Sequence, residues 1–150
     1  MIVDTSVVVA IVRDESEAEV FKRLIAEAPI VHISAASYLE AGVVVDRAGD
    51  PRLSTALDVL LASGGVAVED FTAEQAAIAR IAYQRFGRGS GHPARLNMGD
   101  CFSYALARAL EEPLLFKGED FALTDIELVT TPLRSRRLSE VVASYRTDTP

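Results

Sequence analysis

The feature that most restricts this chain is an alternation. Short, β-rich apolar runs are separated by segments whose apolar residues recur every three or four positions. Met1-Ile2-Val3, Ile30-Val31-His32-Ile33, Val66-Ala67-Val68 and Leu114-Leu115-Phe116 are the runs, and Ile126-Glu127-Leu128-Val129 reads as a fifth. Short apolar runs bounded by turn residues are strands buried on both faces, and strands that alternate with helices form a mostly parallel sheet covered on both sides. In such a sheet, ligands bind beyond the carboxyl ends of the strands.

The helical segments are legible from their caps and stripes. Asp4-Thr5-Ser6 precedes Val7–Val12, and a second helix carries Ala18, Phe21, Leu24, Ile25 and Ala28 before Pro29 stops it. Ser34 caps a third, in which Ala36, Leu39, Glu40, Val43 and Val44 recur at helical spacing; Asp50-Pro51 opens a fourth with Leu53, Leu57, Leu60 and Leu61 inside. Thr72 caps a fifth through Ala76, Ala79, Ile81 and Ala82, and Asp100 opens a sixth with Phe102, Ala105, Leu106 and Ala109 on its apolar face. Between Arg85 and Asn97 the glycines, Pro93 and three arginines read as a loop longer than simple connection requires. A chain of 150 residues has the material for one well-cored domain, expected over 1–131, with 132–150 as a further helix or a solvated tail.

Composition excludes several classes. At 49% apolar and 25% charged the chain is globular, and the single Cys101 forbids an internal disulfide or a thiolate metal cluster. Cys101 sits in an amphipathic helix and reads as core packing. The first residues place Asp4 inside their apolar run without a basic leader, so neither a signal peptide nor an anchor is expected, and the location is expected to be cytoplasmic. His32 and His92 form no zinc-ligand motif, and Gly87–Gly91 lacks the strand and the Lys-Ser/Thr ending of a phosphate-binding loop. The net charge of −7, from 22 acids against 15 bases, argues against a broad cationic face for nucleic acid. Any such contact has to be local, beside acids whose field a cation reverses.

The acids themselves carry the chemistry. Asp4 follows the first strand directly, where an unpaired buried carboxylate would cost several kcal/mol. Glu40 lies on a helix face with Ala36, Leu39 and Val43; Asp100 stands in the first turn of its helix; Asp120 follows the fourth strand across a polar turn, with Glu119 and Asp125 as competitors for that position. Acids at strand ends and helix starts, separated by whole apolar elements, are the parts of one site assembled from several elements. Oxygen ligands of this kind suit Mg²⁺ or Mn²⁺, which polarise a phosphate and acidify water for phosphodiester hydrolysis. Helix caps and arginine pairs are the plainer uses of the same acids. Arg85, Arg88 and Arg95, with Lys117, are placed to hold phosphates, while Phe86 at a helix end reads as core.

Four blocks carry a resemblance: MIVDTSVVVAI, SAASYLEAG from Ser34, LNMGDCFSYALAR from Leu96 and LLFKGEDFALTDI from Leu114. Together, over residues 1–129, they resemble the PIN-domain toxins of bacterial type II toxin–antitoxin systems, the VapC-type ribonucleases. The resemblance implies a three-layer α/β/α fold, with Asp4, Glu40 and Asp100 as the principal acids and Asp120 as the fourth. Glu119 and Asp125 stand as its substitutes. It further implies that Thr5 and Ser6 position water or a carboxylate, that Asn97 orients the segment before Asp100, and that the protein is a homodimer restrained by a small antitoxin. The expected activity is metal-dependent endoribonuclease cleavage. A metal-dependent DNA nuclease or phosphohydrolase, and a catalytically inert interaction module, are the competing classes.

Overall fold

The computed structural model describes residues 1–63 and 65–130; the extension at 132–150 lies outside them. Four parallel strands, β1 (Ile2–Val3), β2 (Val31–Ser34), β3 (Val66–Glu69) and β4 (Leu114–Leu115), stand in the order β3-β2-β1-β4. The expected fifth strand is reduced to one parallel bridge, Leu114 to Leu128, on the outer side of β4. Six helices among the described residues cover the sheet: α1 (Thr5–Val12), α2 (Ala18–Glu27), α3 (Ala35–Asp46), α4 (Pro51–Ser63), α5 (Ala73–Phe86) and α6 (Met98–Leu110). None of the described helices is long and apolar enough to cross a membrane.

The three layers follow from the two-residue period of a strand. Ile2 and Leu114 point into one core with Ala79, Ala82 and Phe86 of α5 and Cys101, Tyr104, Ala105 and Leu106 of α6. Val3 and Leu115, their neighbours in sequence, point into the other with Val7, Val8, Phe21, Ile25, Ala41, Val45 and Leu57 from α1 to α4. Burial on both faces is why these strands read as continuous apolar runs rather than alternating ones.

The buried face of α3 differs from the expected one. Ser37, Ala41 and Val45 face inward, whereas Leu39 is 68% and Val43 49% exposed. The helix packs against both α1 and α6, and small side chains at 37 and 41 permit that approach. On α5 likewise, Ile81 is exposed and Gln75, Ala79, Ala82 and Phe86 are inside. The loop expected from Arg85 begins two residues later, because α5 runs through Phe86. It is pinned: Gly87 bridges Leu96 in parallel, Ala94 and Leu96 are buried, and His92 meets the Phe86 ring edge-on at 4.9 Å.

Candidate active site

Asp4 is fixed at the carboxyl edge of the sheet's interior. Its backbone N–H donates to the Leu115 carbonyl at 3.0 Å, and its side chain is 4% exposed. As N-cap of α1 it accepts the Ser6 N–H (2.9 Å) and the Ser6 hydroxyl (2.5 Å) on Oδ2. Oδ1 accepts the Ser103 hydroxyl at 2.7 Å, one turn into α6 from Asp100. Capping and site placement are therefore the same arrangement: the short α1 starts on the carboxylate that the strand delivers.

Glu40 comes from α3 and is tied back to α1, its Oε2 accepting the Thr5 hydroxyl at 2.8 Å. Burial raises its pKa, the Thr5 bond opposes this, and the charge of Asp4 raises it further. Asp100 is the third residue of α6 and closes a capping box. Its Oδ2 accepts the Asn97 N–H at 2.6 Å, and the Asn97 side chain accepts the Asp100 N–H at 3.0 Å. Burial pushes the Asp100 carboxyl up to about 7; the Asn97 bond opposes this, while the charges of Asp4, Asp120 and Glu40 add to it. Asp100 thus feels the charges of the other three acids, and Glu40 that of Asp4. Asp120 is exposed, at the start of a short 3-10 turn (Asp120–Leu123) held down by buried Phe121.

Two contributors had no signal in the acid pattern. Gly99 admits the Glu40 carboxylate so closely that an added Cβ would overlap both its oxygens. Ser103, fully buried, links Asp4 to the Ser37 hydroxyl at 3.2 Å. The helical offset of three from Asp100 was the only available hint to Ser103.

The other expected residues are distributed. Asp125 is engaged elsewhere, accepting the Tyr104 hydroxyl at 2.6 Å and Arg85 at 3.1 Å. Burial alone would raise its pKa, but those two partners outweigh it and hold the carboxyl low. Arg85 also lies over the Phe86 ring at 4.6 Å. Lys117 donates its backbone N–H to the Ser6 hydroxyl at 3.0 Å, but its ammonium is held by Glu15 and Glu17. Arg88 and Arg95 are exposed on the pinned loop, Arg95 with a positive φ of 54°. Cys101 is buried core, its thiol pushed up to about 12.

As the side chains lie, no three His, Cys, Asp or Glu groups among the described residues are close enough to enclose a cation. The donor chemistry nonetheless fits one. The centre is built of hard carboxylate oxygens, and among the described residues Oε1 of Glu40 and Oδ1 of Asp100 accept no hydrogen bond. Burial first, and then the like charges of Asp4, Asp120 and Glu40, raise the Asp100 carboxyl, and a bound cation would oppose both.

The PIN-domain model matches residues 1–127. Ribonuclease VapC28 of Mycobacterium tuberculosis is 54% identical over 127 residues, which cover 85% of this chain and 96% of the relative. Among solved structures, the fold is similar to M. tuberculosis VapC20, a sarcin–ricin-loop-cleaving toxin (TM-score 0.66, 23% identity, 85% of this chain and 97% of that one). It is similar too to a toxin–antitoxin complex from Klebsiella pneumoniae (TM-score 0.63, 18% identity, 86% and 95% covered). The α/β/α layers, the family model over residues 1–127 and this level of identity agree: the chain belongs to the PIN-domain family, among its VapC ribonucleases.

Proposed function

We propose that this VapC-family chain hydrolyses RNA phosphodiester bonds at the Asp4–Glu40–Asp100 centre, with Asp120 as the fourth acid and Mg²⁺ or Mn²⁺ as cofactor. The observation that carries this reading is the convergence of acids from the end of β1, from α3, from α6 and from the turn after β4, close enough that Asp4, Asp120 and Glu40 all act on the half-buried Asp100. Asp4 and Asp100 would hold the cation directly, and Glu40 directly or through water. When bound, the cation supplies charge neutralisation at the phosphate and acidification of water. The chain's own residues set the geometry. Thr5 and Gly99 fix the Glu40 carboxylate between α1 and α6, Ser6 and Ser103 occupy both sides of Asp4, and Asn97 holds Asp100 at its first-turn position. No histidine lies among these groups to serve as general acid, which favours cation-centred hydrolysis over histidine-driven cleavage.

Asp125 and Lys117 are less suited to the roles expected of them, being committed to Tyr104 and Arg85 and to Glu15 and Glu17. Glu119 stays open as a substitute for Asp120. Arg88 and Arg95 are the better phosphate contacts. The homodimer and the antitoxin belong to the same proposal, the latter supported by the similarity to a toxin–antitoxin complex. The test is RNA cleavage by antitoxin-free protein with Mn²⁺ or Mg²⁺ beside Asp4→Asn and Asp100→Asn variants. Both substitutions are expected to abolish turnover while the melting curve stays cooperative. Undiminished turnover in both would reject the site.

A further inference from the structure

Asp120 reaches the acid centre without a support of its own. Asp4, Glu40 and Asp100 each accept at least one hydrogen bond on the carboxylate, whereas among the described residues the Asp120 carboxylate accepts none. Its place is therefore set by the backbone that carries it. That backbone is closed on itself: the Ala122 N–H donates to the Glu119 carbonyl at 3.0 Å and the Thr124 hydroxyl to the Phe121 carbonyl at 2.8 Å. A closed turn moves as one unit, so its anchors decide where Asp120 stands.

There is an anchor at each end. At the start, the Lys117 N–H donates to the Ser6 hydroxyl at 3.0 Å, and that hydroxyl donates onward to Asp4. Beneath the turn, buried Phe121 meets the Phe116 ring edge-on at 5.0 Å. At the far end, Asp125 uses both carboxylate oxygens, Oδ1 accepting the Tyr104 hydroxyl at 2.6 Å and Oδ2 accepting Arg85 at 3.1 Å. Tyr104 lies four residues after Asp100 on α6, one turn on and on the same helix face. The helix that delivers Asp100 thus also grips the segment that delivers Asp120.

The grip is a strong one. The Tyr104 hydroxyl is on a buried ring and needs a partner. Burial and then Asp125 push its pKa up to about 12, so near neutral pH it remains a donor. Bonds from such a donor to an ionised carboxylate are roughly twice as strong as those to a neutral acceptor.

We propose that Tyr104 and Asp125 are positioning residues for the fourth acid: their bond latches the turn after β4 onto α6 and holds Asp120 at the separation from Asp100 that one cation centre requires. Arg85 braces the second oxygen of the latch. The consequence for cleavage rests on the nuclease reading above, whereas the consequence for cation binding is measured without it.

The test is a double-mutant cycle on the full chain, Tyr104→Phe and Asp120→Asn alone and together, reading RNA turnover with Mn²⁺ and Mn²⁺ affinity by calorimetric titration. Phenylalanine keeps the ring in the core and removes only the hydroxyl. Tyr104→Phe is expected to weaken Mn²⁺ binding about tenfold and to lower kcat by a similar factor with KM for RNA unchanged. In the Asp120→Asn background it is expected to change neither. Asp125→Asn keeps an oxygen for the tyrosine and should stay near the parent, while Ile25→Val, in the opposite core, should lower the melting temperature and leave both readouts alone. Equal losses from Tyr104→Phe in both backgrounds overturn the proposal and make the tyrosine a structural support only. Parent-like behaviour of Tyr104→Phe, or of Asp120→Asn, overturns it as well. Absence of cleavage in every protein, the parent included, refutes the nuclease reading, and the Mn²⁺ cycle then decides the positioning by itself.

Discussion

Replacing Asp100 with asparagine should stabilise the cation-free protein at alkaline pH. The carboxyl is pushed up to about 7 from an ordinary value of 3.8, first by burial and then by Asp4, Asp120 and Glu40. A folded-state pKa above the unfolded one means that the native state holds the proton more tightly. The associated stability is complete below about pH 4 and is lost as pH rises through about 7. Three units correspond to about 4 kcal/mol, and partial solvent access reduces this to roughly 2 kcal/mol. Asparagine keeps an oxygen for the Asn97 N–H, so the capping box survives, while loss of the charge at the helix start returns about 0.5 kcal/mol. Urea melts in chelator at pH 4.5 and 8.5 measure the difference directly. The variant should match the parent at pH 4.5 and exceed it by about 1–2 kcal/mol at pH 8.5, or roughly 3–8 °C in a thermal scan. Saturating Mn²⁺ should reverse the order, because a ligand bound only by the native parent adds RT ln(1 + [L]/Kd) to it alone. A variant no more stable than its parent at pH 8.5 in chelator would refute the claim that these acids strain the fold.

Three further outcomes follow from the same contacts. Gly99→Ala drives a methyl into the Glu40 carboxylate and should cost about 1–3 kcal/mol with loss of turnover; Glu40→Ala in the same chain should recover most of the stability in a double-mutant cycle. Ser103→Ala removes a donor from buried Asp4 and should cost about 1.5–3 kcal/mol in urea melts at pH 7, with weaker Mn²⁺ binding by titration. Arg88→Gln/Arg95→Gln should weaken RNA binding and reduce the slope of log K against log salt by about 1.4; an unchanged slope removes the loop from the RNA path.

What the residues alone made legible was the part encoded by chemistry at chain ends of elements. Asp4 was readable because its run terminates on a charge that a buried sheet cannot leave unpaired, and Asp100 because it stands in the first turn of its helix; the Asn97 cap behind it emerged only with the fold. The packing of α3 was not. Its sequence offers two stripes, Leu39–Val43 and Ser37–Ala41–Val45, and hydrophobicity alone selects the larger side chains, whereas the closeness of α1 and α6 selects the smaller. Ser37 and Ser103 were hidden for the same reason, since a serine declares its value only when its partner across the interface is known. The fate of Ile126–Val129 was also undetermined, because an edge segment with one bridge and a full strand share the same composition.

The clasp between Gly87 and Leu96 closes the arginine-bearing loop upon itself, independently of the supports under Asp4 and Glu40. On the proposed reading of Arg88 and Arg95 as phosphate contacts, exchange of these two exposed side chains would alter the grip on RNA while leaving the buried Ala94 and Leu96 to anchor the loop. Transplanting the ten residues from Gly87 to Leu96 as one closed unit is accordingly the exchange that would test their part in target choice.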